Sequence, residues 1–168
     1  MTTQSRILVA GIGNVFLGDD AFGVEVVRRL AKRPQPEDVQ VADFGIRGFD
    51  LALALLDPRQ LTIMVDAAPR GGEPGTLYTI EPEIPVPDIM RPGNGVDADP
   101  TLHGLDPVKV LRLAKTMGGP IGRVLVVGCE PKSFGEELEG HMGLSEPVAA
   151  AVDGAIASIE AIIADTPA

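Results

Sequence analysis

The sequence predicts an α/β fold: a single-domain three-layer sandwich in which a twisted, mostly parallel sheet of about five strands carries helices on both faces. Three observations predict it. Runs such as "RILVAGIG" and "QLTIMVDAA" are apolar without alternation, as in strands buried on both faces. These runs alternate with stretches of helical periodicity, the order that builds parallel βαβ units. Tryptophan is absent and aromatics are 4% of the chain, so the core must be mostly Val, Leu, Ile and Ala, which suit helices packed on a sheet. No repeat, low-complexity segment or linker interrupts the 168 residues, which are read as one domain over 1–168.

The elements follow in order. Residues 6–13 form the first strand, ending in glycines. Residues 19–33 read as a helix: Asp19 caps it, Val26, Val27 and Leu30 give its apolar face, and Pro34 and Pro36 end it. "VQVADFG" (39–45) is the second strand, and "GFDLALALLD" (48–57) a short helix stopped by Pro58. Residues 60–68 form the third strand. "GTLYTIEP" (75–82) is a strand suited to an edge or to antiparallel pairing. Residues 83–100, rich in Pro, Gly and Asp, read as a long functional loop. "DPVKVLRLAKTMGG" (106–119) is a helix with Pro107 in its first turn. "RVLVVGCEP" (123–131) is the last strand, 132–144 a loop, and 145–164 a long helix with Ser145 as N-cap and Pro147 in the first turn.

Bulk properties exclude some functions. A net charge of −10 disfavours nucleic-acid binding, where phosphate contacts supply much of the affinity. The lone cysteine, Cys129, cannot form an internal disulfide and fits a reducing cytoplasm. "MTTQSR" lacks an apolar signal core, and no apolar run approaches a membrane span. The expectation is a soluble, cytoplasmic protein that binds neither nucleic acid nor membrane.

Ligands of open α/β sheets bind outside the carboxyl ends of the strands. There the first strand delivers "GNVFLGDD", the second Asp43, the third Asp66, and the last Cys129 and Glu130; His103 precedes the helix at 106. A dinucleotide fingerprint fails, because its third glycine is replaced by Phe16 and because Asp19 and Asp20 would repel a pyrophosphate. No Gly-Lys-Ser/Thr follows, so a Walker loop fails too. An aspartate directly after "LTIMV" is costly to bury unpaired, so Asp66 is either anchored by backbone amides or a site carboxylate. Asp20, Asp66 and His103 together suit a divalent metal site with open positions, although no local spacing marks one. Cys129, with His103 or His141 as base, raises a cysteine nucleophile; ending an apolar strand, it reads better as a small buried hydrophobe.

Five segments together resemble the nickel–iron hydrogenase maturation endopeptidases: "ILVAGIGNVFLGDDAFGVEVV", "DFGIRGFDL", "LTIMVDAAPRGGEPGTLY", "LHGLDPVKVLRLA" and "VVGCEPKSFGEELEGHMGLSEPVAAAV". They cover nearly the whole chain in the same order. The resemblance implies an endopeptidase that removes a short C-terminal extension from the precursor of a [NiFe] hydrogenase large subunit once nickel is inserted, the precursor's nickel being the recognition signal. It implies that Asp20, Asp66 and His103 contact a divalent metal, with Asp43 carried over only as a candidate site residue. Other divalent cations are expected to occupy the same residues in vitro. Two departures stand out: Ala21 replaces a frequent glycine, and Cys129 replaces a usually aliphatic residue, which weakens the nucleophile reading further. Whether the metal acts as Lewis acid, activates water or only selects the substrate stays open, as does which carboxylate serves as base. Competing readings are a non-proteolytic nickel- or precursor-binding maturation factor and an unrelated metal-dependent amidohydrolase.

Overall fold

The computed structural model describes residues 4–83, 106–134 and 142–168. Five strands form one sheet: β1 (Ile7–Ile12), β2 (Val39–Gly45), β3 (Leu61–Ala67), β4 (Leu77–Ile80) and β5 (Arg123–Cys129). Their spatial order is β2-β1-β3-β5-β4. Three pairings, β1 with β2, β1 with β3 and β3 with β5, are parallel. The edge strand β4 runs antiparallel to β5, as its short, half-buried sequence suggests.

Among the described residues four helices cover the sheet: α1 (Phe22–Leu30), α2 (Gly48–Ala54), α3 (Pro107–Thr116) and α4 (Glu146–Asp165). The strands feed both faces in alternation. Ile7, Val9, Ile63, Val65 and Val127 pack on one side with Phe22 and Val26 of α1 and Val152, Ile156 and Ile159 of α4. Leu8, Ala10, Met64 and Val126 pack on the other with Leu51 of α2 and Val110 and Leu111 of α3. Two apolar layers on one sheet are why its central strands read as unbroken apolar runs.

Two expectations need correction. The first helix does not begin at Asp19: a 3-10 turn, Gly18–Ala21, precedes α1, whose N-cap is Ala21. The expectation that no apolar run approaches a membrane span also fails, because α4 has 20 residues and holds an 18-residue stretch of mean hydropathy 1.6. Its apolarity has another cause. Val148, Val152, Ala155, Ile156, Ile159 and Ile163 are buried between the sheet and α1, the demand placed on a helix facing a core. The 83–100 loop, apart from residue 83, lies outside the described residues, as do His103 and His141.

Candidate functional site

The chain leaves β1 toward β2 on one side and returns to β3 on the other, so the sheet switches direction beside β1. Side chains at the carboxyl ends of β1 and β3 therefore flank a natural crevice. Asp20 follows β1 in the 3-10 turn, and Asp66 lies in the last turn of the pleat of β3, opposite Gly128 of β5. Both line an open cleft of about 490 Å3, walled by Ile80, Val126, Phe134 and the start of α3.

Two glycines make this approach possible. At Gly13 φ is +144°, and a β-carbon would fall 1.8 Å from the Asp20 carbonyl oxygen. At Gly23 a β-carbon would fall 1.9 Å from the Val65 carbonyl oxygen and 2.5 Å from that of Ile12. The first turn of α1 is thus pressed directly onto the backbone of β1 and β3. Gly23 supplies the close helix–strand contact that a dinucleotide loop takes from its third glycine; Phe16, at that position, points into solvent and is 62% exposed.

Among the described residues, few donors reach the two cleft carboxylates. Asp20 Oδ2 accepts a hydrogen bond from the Asn14 N–H at 2.9 Å. Burial raises its pKa, and the Asn14 N–H only partly opposes that. Asp66 is 7% exposed and accepts from the Ala67 N–H at 2.9 Å. Its pKa is raised well above the ordinary value, first by burial and then by the negative charge of Asp20; the Ala67 N–H opposes this, and Asp106 adds a further upward push. Two carboxylates raised by burial, one of them also by the charge of the other, favour a proton or a metal ion. Among the described residues no group of three His, Cys, Asp or Glu is arranged around a metal. Asp20 and Asp66 are two of the three expected metal-contacting residues, and His103 lies outside the described residues.

Asp43 is not brought into this cleft. It sits on β2, where its carboxylate accepts from Arg28 Nε at 3.1 Å and lines a separate groove with Asn14, Phe16, Phe44 and Arg47.

Asp19 has a different role from the cap expected of it. It is 1% exposed and accepts from the backbone N–H of Lys132 (2.8 Å), Ser133 (3.0 Å) and Ser145 (2.7 Å) and from the Ser145 hydroxyl (2.8 Å). The 3-10 turn rolls its side chain inward, so it ties the start of α4 and the segment after β5 to the turn that carries Asp20. Ser145 does occupy the N-cap position of α4, but its hydroxyl donates to Asp19 and makes no cap to its own helix.

Cys129 is fully buried, and burial, then the charges of Asp19 and Glu130, push its thiol up to about 11. A thiol so held is a poor nucleophile, in keeping with its reading as a small core residue.

Sequence reasoning assigned no site role to three neighbours. Glu130, 5% exposed, accepts from the N–H groups of Arg70 (2.8 Å) and Gly71 (3.1 Å) and from the Tyr78 hydroxyl (3.0 Å). Asp106 caps α3 through the Val108 N–H at 2.9 Å and faces the cleft. Arg70 lines the same cleft. For Asp106 the signal was present in "LDPVKV", an acidic residue before Pro at a helix start. For Glu130 only its place after an apolar strand was visible; its partners lie 52 to 60 residues away.

Comparison with known proteins bears on this geometry. The family described as hydrogenase maturation protease matches residues 24–162. The hydrogenase 2 maturation protease of Escherichia coli K12 is 30% identical over 162 residues, covering 96% of this chain and 92% of that protein. The crystal structure of a hydrogenase 2 maturation peptidase from a Thaumarchaeota archaeon superposes with a TM-score of 0.69 at 32% identity, over 95% of this chain and 99% of that one. The hydrogenase maturating endopeptidase HybD from E. coli gives a TM-score of 0.71 at 26% identity, over 95% and 93%.

Proposed function

The chain belongs to the hydrogenase maturation protease family and is a peptidase, and from that premise we propose that its substrate is the nickel-loaded precursor of a [NiFe] hydrogenase large subunit. In this reading it removes the precursor's C-terminal extension, and nickel held by the precursor is the recognition signal. The ion belongs to the substrate and is not a resident cofactor.

The observation that carries the reading is the Asp20–Asp66 pair. It stands at the topological switch point, faces an open cleft, and its raised pKa values mark a place where added positive charge is stabilised. We propose His103 as the third metal-contacting residue. Docking the precursor's ion against these groups would fix the scissile bond in the cleft, so that metal occupancy decides which precursors are cut. One of the two carboxylates serves as general base toward water in this reading. The ion also supplies charge stabilisation to whatever oxygen it contacts. Other divalent cations would compete for the same carboxylates. We place the reaction in the cytoplasm, where a buried, unpaired Cys129 is at home.

The test is to mix the purified protein with nickel-loaded and with nickel-free precursor and follow the large subunit by mass. Shortening of the nickel-loaded form alone is expected. Equal cleavage of both forms would remove nickel recognition, and cleavage of neither would leave a binding factor in place of an acting protease.

A further inference from the structure

The cleft has two poles. Asp20 and Asp66 form the acidic one, and Arg70 is the one cation among the described residues that line the cleft. The wall between them is largely apolar, with Ile80, Val126 and Phe134.

Arg70 is exposed, yet its position is built. The segment 68–76 is laced to the end of β5 through Ala68 N–H to the Cys129 carbonyl (2.8 Å), Gly75 N–H to the Glu130 carbonyl (2.8 Å) and Glu130 N–H to the Thr76 carbonyl (2.8 Å). The buried Glu130 carboxylate then takes the Arg70 and Gly71 N–H groups and the Tyr78 hydroxyl. The Arg70 guanidinium lies over the Tyr78 ring, 5.8 Å from its centre. Arg6, Arg28, Arg33 and Arg47 each pair with a carboxylate; the guanidinium of Arg70 has no such partner among the described residues. Stacking occupies the face of the guanidinium and leaves its N–H edges for a ligand. A planar fork of this kind matches a carboxylate. In a chain of net charge −10, such a local cation favours the approach of a carboxylate to the cleft.

We propose that Arg70 is a substrate-binding residue, taking a carboxylate of the precursor's C-terminal extension while the acidic pole meets the metal. This rests on the reading of the chain as the processing peptidase. Two anchors of opposite sign would set both the direction and the depth of the extension in the cleft. The carboxylate is either the terminal one, which every C-terminal extension carries, or an Asp or Glu side chain within it. Glu130 and Tyr78 act through Arg70 as positioning residues.

The experiment pairs processing kinetics on nickel-loaded precursor with calorimetry of a synthetic peptide of the extension. Arg70→Ala should raise KM and weaken peptide binding by about tenfold or more, the scale of a lost charge-assisted contact, with kcat little changed. Arg70→Lys should recover part of the loss, and Tyr78→Leu should raise KM less than Arg70→Ala. Peptides with a C-terminal amide, or with Asp and Glu changed to Asn and Gln, identify the source: the one Arg70 reads should bind wild type weakly and show no further loss with Arg70→Ala. If wild type cuts the precursor and Arg70→Ala matches it in KM, the Arg70 assignment falls while the function stands. If wild type cuts nothing, the function falls, and the calorimetry decides Arg70: carboxylate-dependent peptide binding supports it, and its absence overturns it.

Discussion

Four of the carboxylates at the carboxyl edge of this sheet divide into two pairs. Asp19 and Glu130 are deeply buried and amply supplied: Asp19 collects four hydrogen bonds, and Glu130 two from backbone N–H groups and one from Tyr78. Among the described residues, Asp20 and Asp66 receive one N–H each, and the charge of Asp20 works against that of Asp66. Asp19 and Asp20 are chain neighbours, so neither residue type nor local sequence separates the pairs. The number of donors that the fold aims at each does. Satisfied carboxylates hold the site together; the under-supplied ones are left with an appetite for positive charge, which is what a metal-bearing substrate offers.

Removing charge from the under-supplied pair should cost activity. Asp20→Asn, and His103→Ala at the third proposed metal contact, should each lower processing of nickel-loaded precursor by roughly a thousandfold, measured as initial rate, with the circular dichroism spectrum unchanged. Removing a satisfied carboxylate should cost stability. Asp19→Ala removes a buried acceptor shared by three part-buried backbone N–H groups and a hydroxyl and should lower unfolding free energy by about 3 kcal/mol in a urea titration. A smaller loss, about 2 kcal/mol, is expected for Gly23→Ala, where the new methyl meets the Val65 carbonyl oxygen; processing should fall as well, since α1 must shift and carry Asp20 with it.

The pairs should also answer pH in opposite directions. The pKa of Glu130 is lowered, first by the Arg70 N–H, so its stabilisation is present above the ordinary glutamate range and is lost as pH falls through its depressed value. Asp66 is raised, so the fold binds its proton more tightly than the unfolded chain does, and stability is lost as pH climbs from the ordinary aspartate range through the raised value. Melting temperature followed across pH should show the acid-side decline flattened in Glu130→Gln and the climb toward neutral pH made less costly in Asp66→Asn. The smallest effect belongs to Cys129→Ser: an unchanged processing rate, with about 1 kcal/mol lost for burying a hydroxyl in an apolar pocket.

What the chain reveals before folding follows the same division. The central strands are legible because both faces are buried, leaving unbroken apolar runs in β1 and β3. Asp20 and Asp66 are legible because a charge at the end of such a run asks for an explanation. Asp19 misleads because its donors come from residues 113 to 126 positions away, and a local reading can see only a helix start. Gly23 hides inside a helical pattern, where its lack of a β-carbon looks like a weakness until the backbone of β3 lies against it. The length of α4 reads correctly, and its apolarity is explained only by the two layers it packs against.

The most direct test is made on one sample of Asp66→Asn. Mass analysis of the large subunit after incubation with nickel-loaded precursor is paired with the variant's melting temperature at neutral pH. If Asp66 is a site carboxylate held at a cost to the fold, the precursor keeps its full length and the variant melts at or above the wild-type temperature. Mature-length product at the wild-type rate, or a fold that melts well below wild type, would contradict it.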